Sequence, residues 1–345
     1  MPDRLIPRIA FSLLLALAAA ALCVALRTPI PWMLGPLLAT AVVSMLGGPT
    51  ASALPLRNAG QWVLGVALGL HFTPEVTALL ARLWWVVVLG IAWALGLGLL
   101  FGRWLQDRHA HRLPELSGPV MRATAYFSSA IGGASEMTLL AERAGARTDL
   151  VAAAHSMRLL IVVIVLPFGM QWAQSVWHFE ALDLVPAAAR EVRPAGLALL
   201  ALVTAVGAGV MVRVGRANPW FMGPLLVAIG ITASGTTLSA IPTWLSNAAQ
   251  LAIGVSLGVR FTRDFVHTAP RWLGSVALGT LAMIALCAAF AGALVYGTGL
   301  HPATLILGTA SGGIAEMAIM AKVLHLGVVV VTALQVLRLV AVLVL

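Results

Sequence analysis

Two glutamates and two arginines lie inside apolar stretches of this sequence and recur at matched positions. Glu136 and Glu316 each follow a Gly-Gly pair and precede a methionine. Arg158 and Arg338 then follow the two glutamates at the same spacing. An ionised side chain inside hydrocarbon is energetically costly, so such residues usually serve a function. The matched pairs therefore indicate a solute or ion site that is built twice.

The composition places these charges in a membrane protein. Of the 345 residues, 61% are hydrophobic and only 10% are charged, and the mean hydropathy is +0.99. A soluble domain is less apolar and more charged, and repeated apolar runs of about 20 residues predict several membrane spans. The net charge of +9 comes from arginines dispersed beside apolar runs, as topology signals are. We therefore expect the lipid bilayer as a partner, and no nucleic acid.

Three sequence blocks occur twice and in the same order. They begin at Pro31 and Pro219, at Gln61 and Gln250, and at Gly132 and Gly312. A repeat this long indicates two fused domain halves rather than a solenoid. We predict a first membrane repeat at residues 1–176, a polar linker at 177–194 and a second repeat at 195–345.

The expected fold class is all-α, because only a helix satisfies its own backbone in lipid. Six spans per half would make the halves parallel, whereas five would make them inverted. The first half has arginines after its fourth apolar run, whereas the second half has them at the opposite set of loops. This charge bias favours inverted repeats. We predict a polytopic membrane protein with two tandem homologous halves, discontinuous helices and about 10–12 spans in total.

Adjacent glycines weaken a membrane helix, so breaks are predicted at Gly132-Gly133 and at Gly312-Gly313. Broken helices near the bilayer midplane expose their ends to a solute. Each glutamate would lie in the first turn after its break, where the helix dipole favours a carboxylate. Nearby hydroxyls complete the predicted site: Ser128, Ser135 and Ser311. The alternative is close helix packing, with each glutamate in a structural ion pair.

Arg158 and Arg338 have two interpretations. As part of the predicted binding site, they could hold an anionic solute such as a carboxylate. Alternatively, each could form a salt bridge to Glu136 or Glu316, or extend toward the membrane interface. The sequence does not decide between these roles.

Two Gly-Pro pairs lie early in apolar runs, at Gly35-Pro36 and Gly223-Pro224. Proline in a helix removes a hydrogen bond and clashes with the preceding turn. These pairs are therefore predicted as further helix breaks, with a tolerated kink as the alternative.

No catalytic or metal-binding pattern is apparent in the sequence. The eight histidines do not cluster at ligand spacing, and no phosphate loop or nucleophile motif occurs. We expect no metal, no cofactor and no enzymatic activity.

The three duplicated blocks together resemble the membrane AbrB family of Gram-negative bacteria, over roughly residues 6 to 345. The resemblance implies a multi-pass protein of the cell inner membrane, unrelated to the soluble DNA-binding regulators of the same name. Family members have been labelled transporters, regulators of gene expression or ammonia monooxygenases. Their broken-helix pattern also looks like that of cation/anion antiporters.

The expected function is secondary transport of a small solute, an organic anion, coupled to H⁺ or Na⁺ through a pseudo-symmetric midplane site. Indirect regulation of gene expression is the alternative. A membrane monooxygenase is disfavoured, because clustered metal ligands are lacking. The sequence leaves open whether the chain forms a homo-oligomer.

Overall fold

Helices form all of the regular secondary structure that is described. The computed structural model describes residues 5–110, 118–132, 134–177, 191–215, 218–262 and 270–344. Within these ranges there are 15 helices and no strand, which confirms the all-α prediction. Apolar runs of this length become helical because the bilayer offers the backbone no other hydrogen-bond partners.

The helices before the predicted linker are α1 (Leu5–Ala25), α2 (Pro31–Met45), α3 (Leu54–Gly69), α4 (Pro74–Arg82), α5 (Trp84–His109), α6 (Gly118–Ser129), α7 (Ala134–Arg143) and α8 (Thr148–Trp177). The helices after it are α9 (Pro194–Arg213), α10 (Pro219–Ala233), α11 (Thr243–Gly258), α12 (Pro270–Thr298), α13 (Pro302–Thr309), α14 (Ile314–Val323) and α15 (Val328–Val344). Proline begins several of them, because its fixed φ suits the first helical turn and its missing N–H costs nothing there.

Five of the described helices are long and apolar enough to cross a membrane: α1, α5, α8, α9 and α12. The pair α3–α4 is a sixth candidate, bent by 82° as a broken span or a re-entrant loop. Shorter apolar helices are α2, α10 and the Val328–Arg338 part of α15. The chain is therefore a multi-pass membrane protein, and the predicted 10–12 spans would require the shorter and broken helices to cross as well.

The helices group into two compact units, and each unit draws on both halves of the sequence. The first unit contains α1 to α4 and α9 to α11, together with the segment Lys322–Val329. The second unit contains α5 to α8, α12, α13 and most of α14 and α15. The compact units thus do not follow the sequence halves. The repeats at 1–176 and 195–345 stay a prediction from the duplicated blocks.

Helices of the first unit cross reciprocally between the two halves. Helix α3 packs against α10, and α11 packs against α2. A Cβ on Gly65 would lie 2.5 Å from the carbonyl oxygen of Phe221, and a Cβ on Gly254 would lie 2.6 Å from that of Met33. Real Cβ atoms do not approach backbone this closely, so glycine permits both crossings. The duplicated glycines therefore set the helix separation in this unit.

The predicted helix breaks at Gly35-Pro36 and Gly223-Pro224 are wrong. Helices α2 and α10 run unbroken through both pairs. Each proline lies in the second turn, where its missing N–H leaves only one carbonyl near the helix start without a donor. The glycines serve packing instead: a Cβ on Gly35 would lie 2.7 Å from the carbonyl oxygen of Ala19 in α1, and Gly223 crowds the backbone of Gly207 in α9.

Replacing Gly65 with alanine should destabilise the first unit, because the added Cβ must push α3 away from α10. We expect a loss of about 1–3 kcal/mol in the free energy of unfolding. The matched control is Gly230→Ala in α10, where a Cβ meets nothing within 4 Å. Unfolding of the detergent-solubilised protein measures both variants, and equal stability of the two would contradict this account of the crossing.

The second unit holds two interrupted helices against three long ones. Helix α5 packs on α6, and α12 packs on α8 and α13. Its buried core includes Leu97 and Phe101 of α5, Ala154 of α8, and Trp272 and Cys287 of α12.

Candidate functional site

Both Gly-Gly pairs lie where a helix is interrupted. Helix α6 ends at Ser129 and α7 begins at Ala134; this interval, which contains Gly132, is called the first break. Helix α13 ends at Thr309 and α14 begins at Ile314; this interval, with Gly312 and Gly313, is the second break. Gly133 lies outside the described residues. Each break leaves the last carbonyl groups of a half-helix without N–H donors from a following turn.

At the second break, Arg338 donates to carbonyl oxygens on both sides of Ser311. Its Nη1 lies 2.7 Å from the oxygen of Ala310, and its Nη2 lies 3.0 Å from that of Gly312. Nη2 also lies 2.5 Å from Oε1 of Gln335. Among the residues that the structure describes, the guanidinium thus bonds only to uncharged oxygens.

Gln335 and Cys287 donate to further carbonyl oxygens at the end of α13. Nε2 of Gln335 lies 2.8 Å, 3.2 Å and 3.1 Å from the carbonyl oxygens of Leu307, Gly308 and Ala310. Sγ of Cys287 lies 3.3 Å from the carbonyl oxygen of Thr309. Gln335 and Cys287 thus donate to the last three carbonyl groups of α13, with the two hydrogens of Nε2 shared among three oxygens.

The first break is held by a similar pair of side chains. Arg158 donates from Nη1 to the carbonyl oxygen of Ser129 at 3.1 Å and from Nη2 to that of Ala130 at 2.9 Å. Nη2 also lies 2.7 Å from Nδ1 of His155, whose Nε2 lies 2.9 Å from the carbonyl oxygen of Phe127. A carbonyl can only accept, so Nε2 carries the proton and Nδ1 accepts from the arginine. His155 therefore takes the place that Gln335 has at the second break.

The arginines thus have a role that neither sequence interpretation included. Arg158 and Arg338 are only 4% and 5% exposed, so neither extends to an interface. Each places a positive charge at the C-terminal end of a half-helix, where the helix dipole favours it. Arg338 bonds to backbone oxygens, whereas the alternative prediction was an ion pair with Glu316.

Glu316 lies in the first turn of α14 and is 7% exposed. A Cβ added to Gly313 would collide with its Oε2, so the carboxylate lies against the backbone of that glycine. This is the position from which a glutamate caps the start of a helix. Glu136 and Ser135 also lie in the first turn after a break, in α7, but their side chains are outside what the structure describes.

Three donor groups near the breaks are buried without a hydrogen-bond partner among the described residues. They are the hydroxyls of Ser128 and Ser311 and Nε of Arg338. Ser128 is 1% exposed and Ser311 is 4% exposed, so bulk solvent does not reach them. A buried donor without a partner is unfavourable by about 1–3 kcal/mol, which is why such groups often mark ligand sites.

The charged side chains described at the breaks are Arg158, Arg338 and Glu316, and all three are buried. No group of three or more His, Cys, Asp or Glu residues that could hold a metal is present within the described ranges.

Comparison with known families assigns the chain. The family model described as "Transition state regulatory protein AbrB" matches residues 32–345. The chain belongs to the AbrB family. The resemblance seen in the duplicated blocks is thus confirmed.

Two relatives of this AbrB protein match along most of their length. "Uncharacterized protein YhjN" of Bacillus subtilis (strain 168) is 28% identical over 338 residues, which cover 91% of this chain and 84% of the relative. "Putative regulator AbrB" of Escherichia coli (strain K12) is 28% identical over 324 residues, which cover 92% of this chain and 88% of the relative. No solved structure matches the chain.

The hydrogen bonds that His155 and Gln335 make to the arginines of this AbrB protein were not predicted from the sequence. His155 and Gln335 each lie one helical turn before an arginine, inside an apolar run. A polar residue at the same place in both copies was the signal, because side chains three apart on a helix are neighbours. Cys287 was also missed, since a thiol inside an apolar run resembles a small hydrophobic residue.

His155→Gln should leave the free energy of unfolding nearly unchanged, because Gln335 makes the equivalent hydrogen bonds at the second break. His155→Leu should lower the free energy of unfolding by about 1–3 kcal/mol, since the carbonyl of Phe127 loses its donor. Unfolding of the purified protein compares the two variants. If glutamine is as damaging as leucine, the equivalence of the two breaks is disproved.

Proposed function

We propose that this AbrB protein is a secondary transporter of a small organic anion in the cell inner membrane, coupled to H⁺ or Na⁺. The observation that carries the proposal is the pair of interrupted helices in one compact unit, each with a buried arginine at its break. Broken helices with buried charges are the usual construction of solute sites in secondary transporters. The proposal involves no chemical conversion of the solute and no cofactor.

An anion suits the charges at the breaks. Arg158 and Arg338 are buried and permanently ionised. Their hydrogen bonds end on backbone carbonyls, on His155 and on Gln335, which bring no negative charge. A bound anion would be attracted by the guanidinium groups, whereas a bound cation would be repelled by them.

The glutamates are the natural coupling groups. Glu316 is buried beside the second break and can exchange its negative charge for a proton or neutralise a cation. Glu136 has the same position in the sequence relative to the first break. A gradient of H⁺ or Na⁺ would then change the charge of the site and drive solute movement. We place both glutamates in the coupling step and both arginines beside the solute.

Reconstituted protein tests the transport function. Proteoliposomes with an imposed pH or Na⁺ gradient should take up radiolabelled succinate, lactate or citrate above the level of empty liposomes. The Glu136→Gln/Glu316→Gln double variant should lose gradient-driven uptake, because neither amide can bind a proton or a cation as a carboxylate does. Gly230→Ala is the control, since it lies in the first unit and meets nothing within 4 Å. Undiminished uptake by the double variant would exclude the glutamates as coupling groups.

Regulation of gene expression is the second candidate function, favoured by the words "regulatory" and "regulator" in the names of the matching family and of the Escherichia coli relative. We infer that any such effect is indirect and follows from movement of a signal molecule. In a strain that lacks the gene, altered transcript levels should be restored by the wild type and not by the transport-deficient double variant. Restoration by both would favour regulation without transport.

A further inference from the structure

The second break contains two hydrogen-bond donors that the protein itself does not use. Nε of Arg338 and the hydroxyl of Ser311 are both buried without a partner among the described residues. Arg338 is 5% exposed and Ser311 is 4% exposed. Both groups can donate, and the arginine nitrogen can only donate. An acceptor of hydrogen bonds is therefore missing at this place.

The two donors belong to the same small region. Arg338 bonds to the carbonyls of Ala310 and Gly312, which are the residues on either side of Ser311. The bonds of the guanidinium to these carbonyls and to Oε1 of Gln335 all come from its two terminal nitrogens, whereas Nε has no partner among the described residues. The terminal nitrogens of this guanidinium therefore hold the break, and its Nε–H can donate to a ligand.

The chemistry of the surroundings favours an anion with oxygen acceptors. The guanidinium is positively charged, and α14 begins at Ile314 with the positive end of its dipole toward the break. Both would repel a cation, and the negative charge at this break is that of Glu316, which lies against Gly313. A carboxylate has two oxygens in one plane, so it can accept from Nε–H and from a hydroxyl together.

We propose that the second break binds a carboxylate group of the solute, through Nε–H of Arg338 and the hydroxyl of Ser311. This inference rests on the proposed transport function, which makes the ligand a transported solute. The first break does not offer the same set of donors, because Ile131 stands where the second break has Ser311. The two halves would therefore contribute unequally, and the carboxylate would bind at the second break.

Binding to the purified full-length protein tests this site. Thermal unfolding in detergent is measured with acetate, lactate, succinate and citrate, against chloride at the same ionic strength. At least one carboxylate should raise the Tm of the wild type in a saturable manner. Ser311→Ala should weaken the apparent affinity for that anion about tenfold, because one charge-assisted hydrogen bond is lost.

Two further variants make the result specific. Ser246→Ala removes another buried, unpartnered hydroxyl, in α11 of the first unit, and should leave affinity unchanged. Arg338→Lys keeps the charge but removes Nε, and should weaken binding at least as much as Ser311→Ala. Ser311→Ala does not touch the bonds that hold the break and removes a buried donor without a partner, so its Tm without ligand should be no lower than that of the wild type. Equal affinity of Ser311→Ala and Ser246→Ala, or no stabilisation of the wild type by any of the four anions, would overturn the site.

The same preparations separate this site from the transport function. If the stabilising anion is taken up but Ser311→Ala binds it with wild-type affinity, the transport function is supported and the site is refuted. If Ser311→Ala binds the anion more weakly than the wild type but no uptake into proteoliposomes occurs, the site is supported and the transport function is refuted.

Discussion

The carbonyl oxygens at the ends of two interrupted helices must find donors inside an apolar protein, and the rest of the second unit is arranged around that need. Helix α6 ends at Ser129 and α13 ends at Thr309, so no further turn supplies N–H groups. In hydrocarbon, an unsatisfied backbone group is unfavourable by several kcal/mol. Arg158 and Arg338 provide the donors together with a positive charge that suits the helix dipole. The breaks persist because the arginines hold them.

This solution leaves a charge that a ligand can use. A guanidinium has five N–H donors, and the bonds of Arg338 to the backbone and to Gln335 all come from its terminal nitrogens. Its Nε and the hydroxyl of Ser311 have no partner in the part of the chain that the structure describes, while Glu316 lies against Gly313. Neighbouring atoms can therefore support the break, bind the solute and take part in coupling. A mutation that removes the whole arginine side chain would not distinguish between these roles.

Local patterns predicted the helical class, and the structure interrupts both helices at the Gly-Gly pairs. The break predicted at Gly35-Pro36 was wrong, because a proline in the second turn leaves only one carbonyl group without a donor, and the helix continues. The backbone carbonyls that accept from the arginines could not be predicted, since those contacts join residues about 28 positions apart in sequence. The interleaving of both halves in each unit depends on packing between distant helices, which no local pattern specifies.

A double-mutant cycle between Arg338 and Gln335 tests most directly whether a shared hydrogen-bond network holds the second break. The free energy of unfolding is measured for Arg338→Met, Gln335→Leu and the double variant. The hydrogen bond between the two side chains and their common acceptor, Ala310, predict a coupling energy above about 1 kcal/mol. Additive effects, within about 0.5 kcal/mol, would contradict the network.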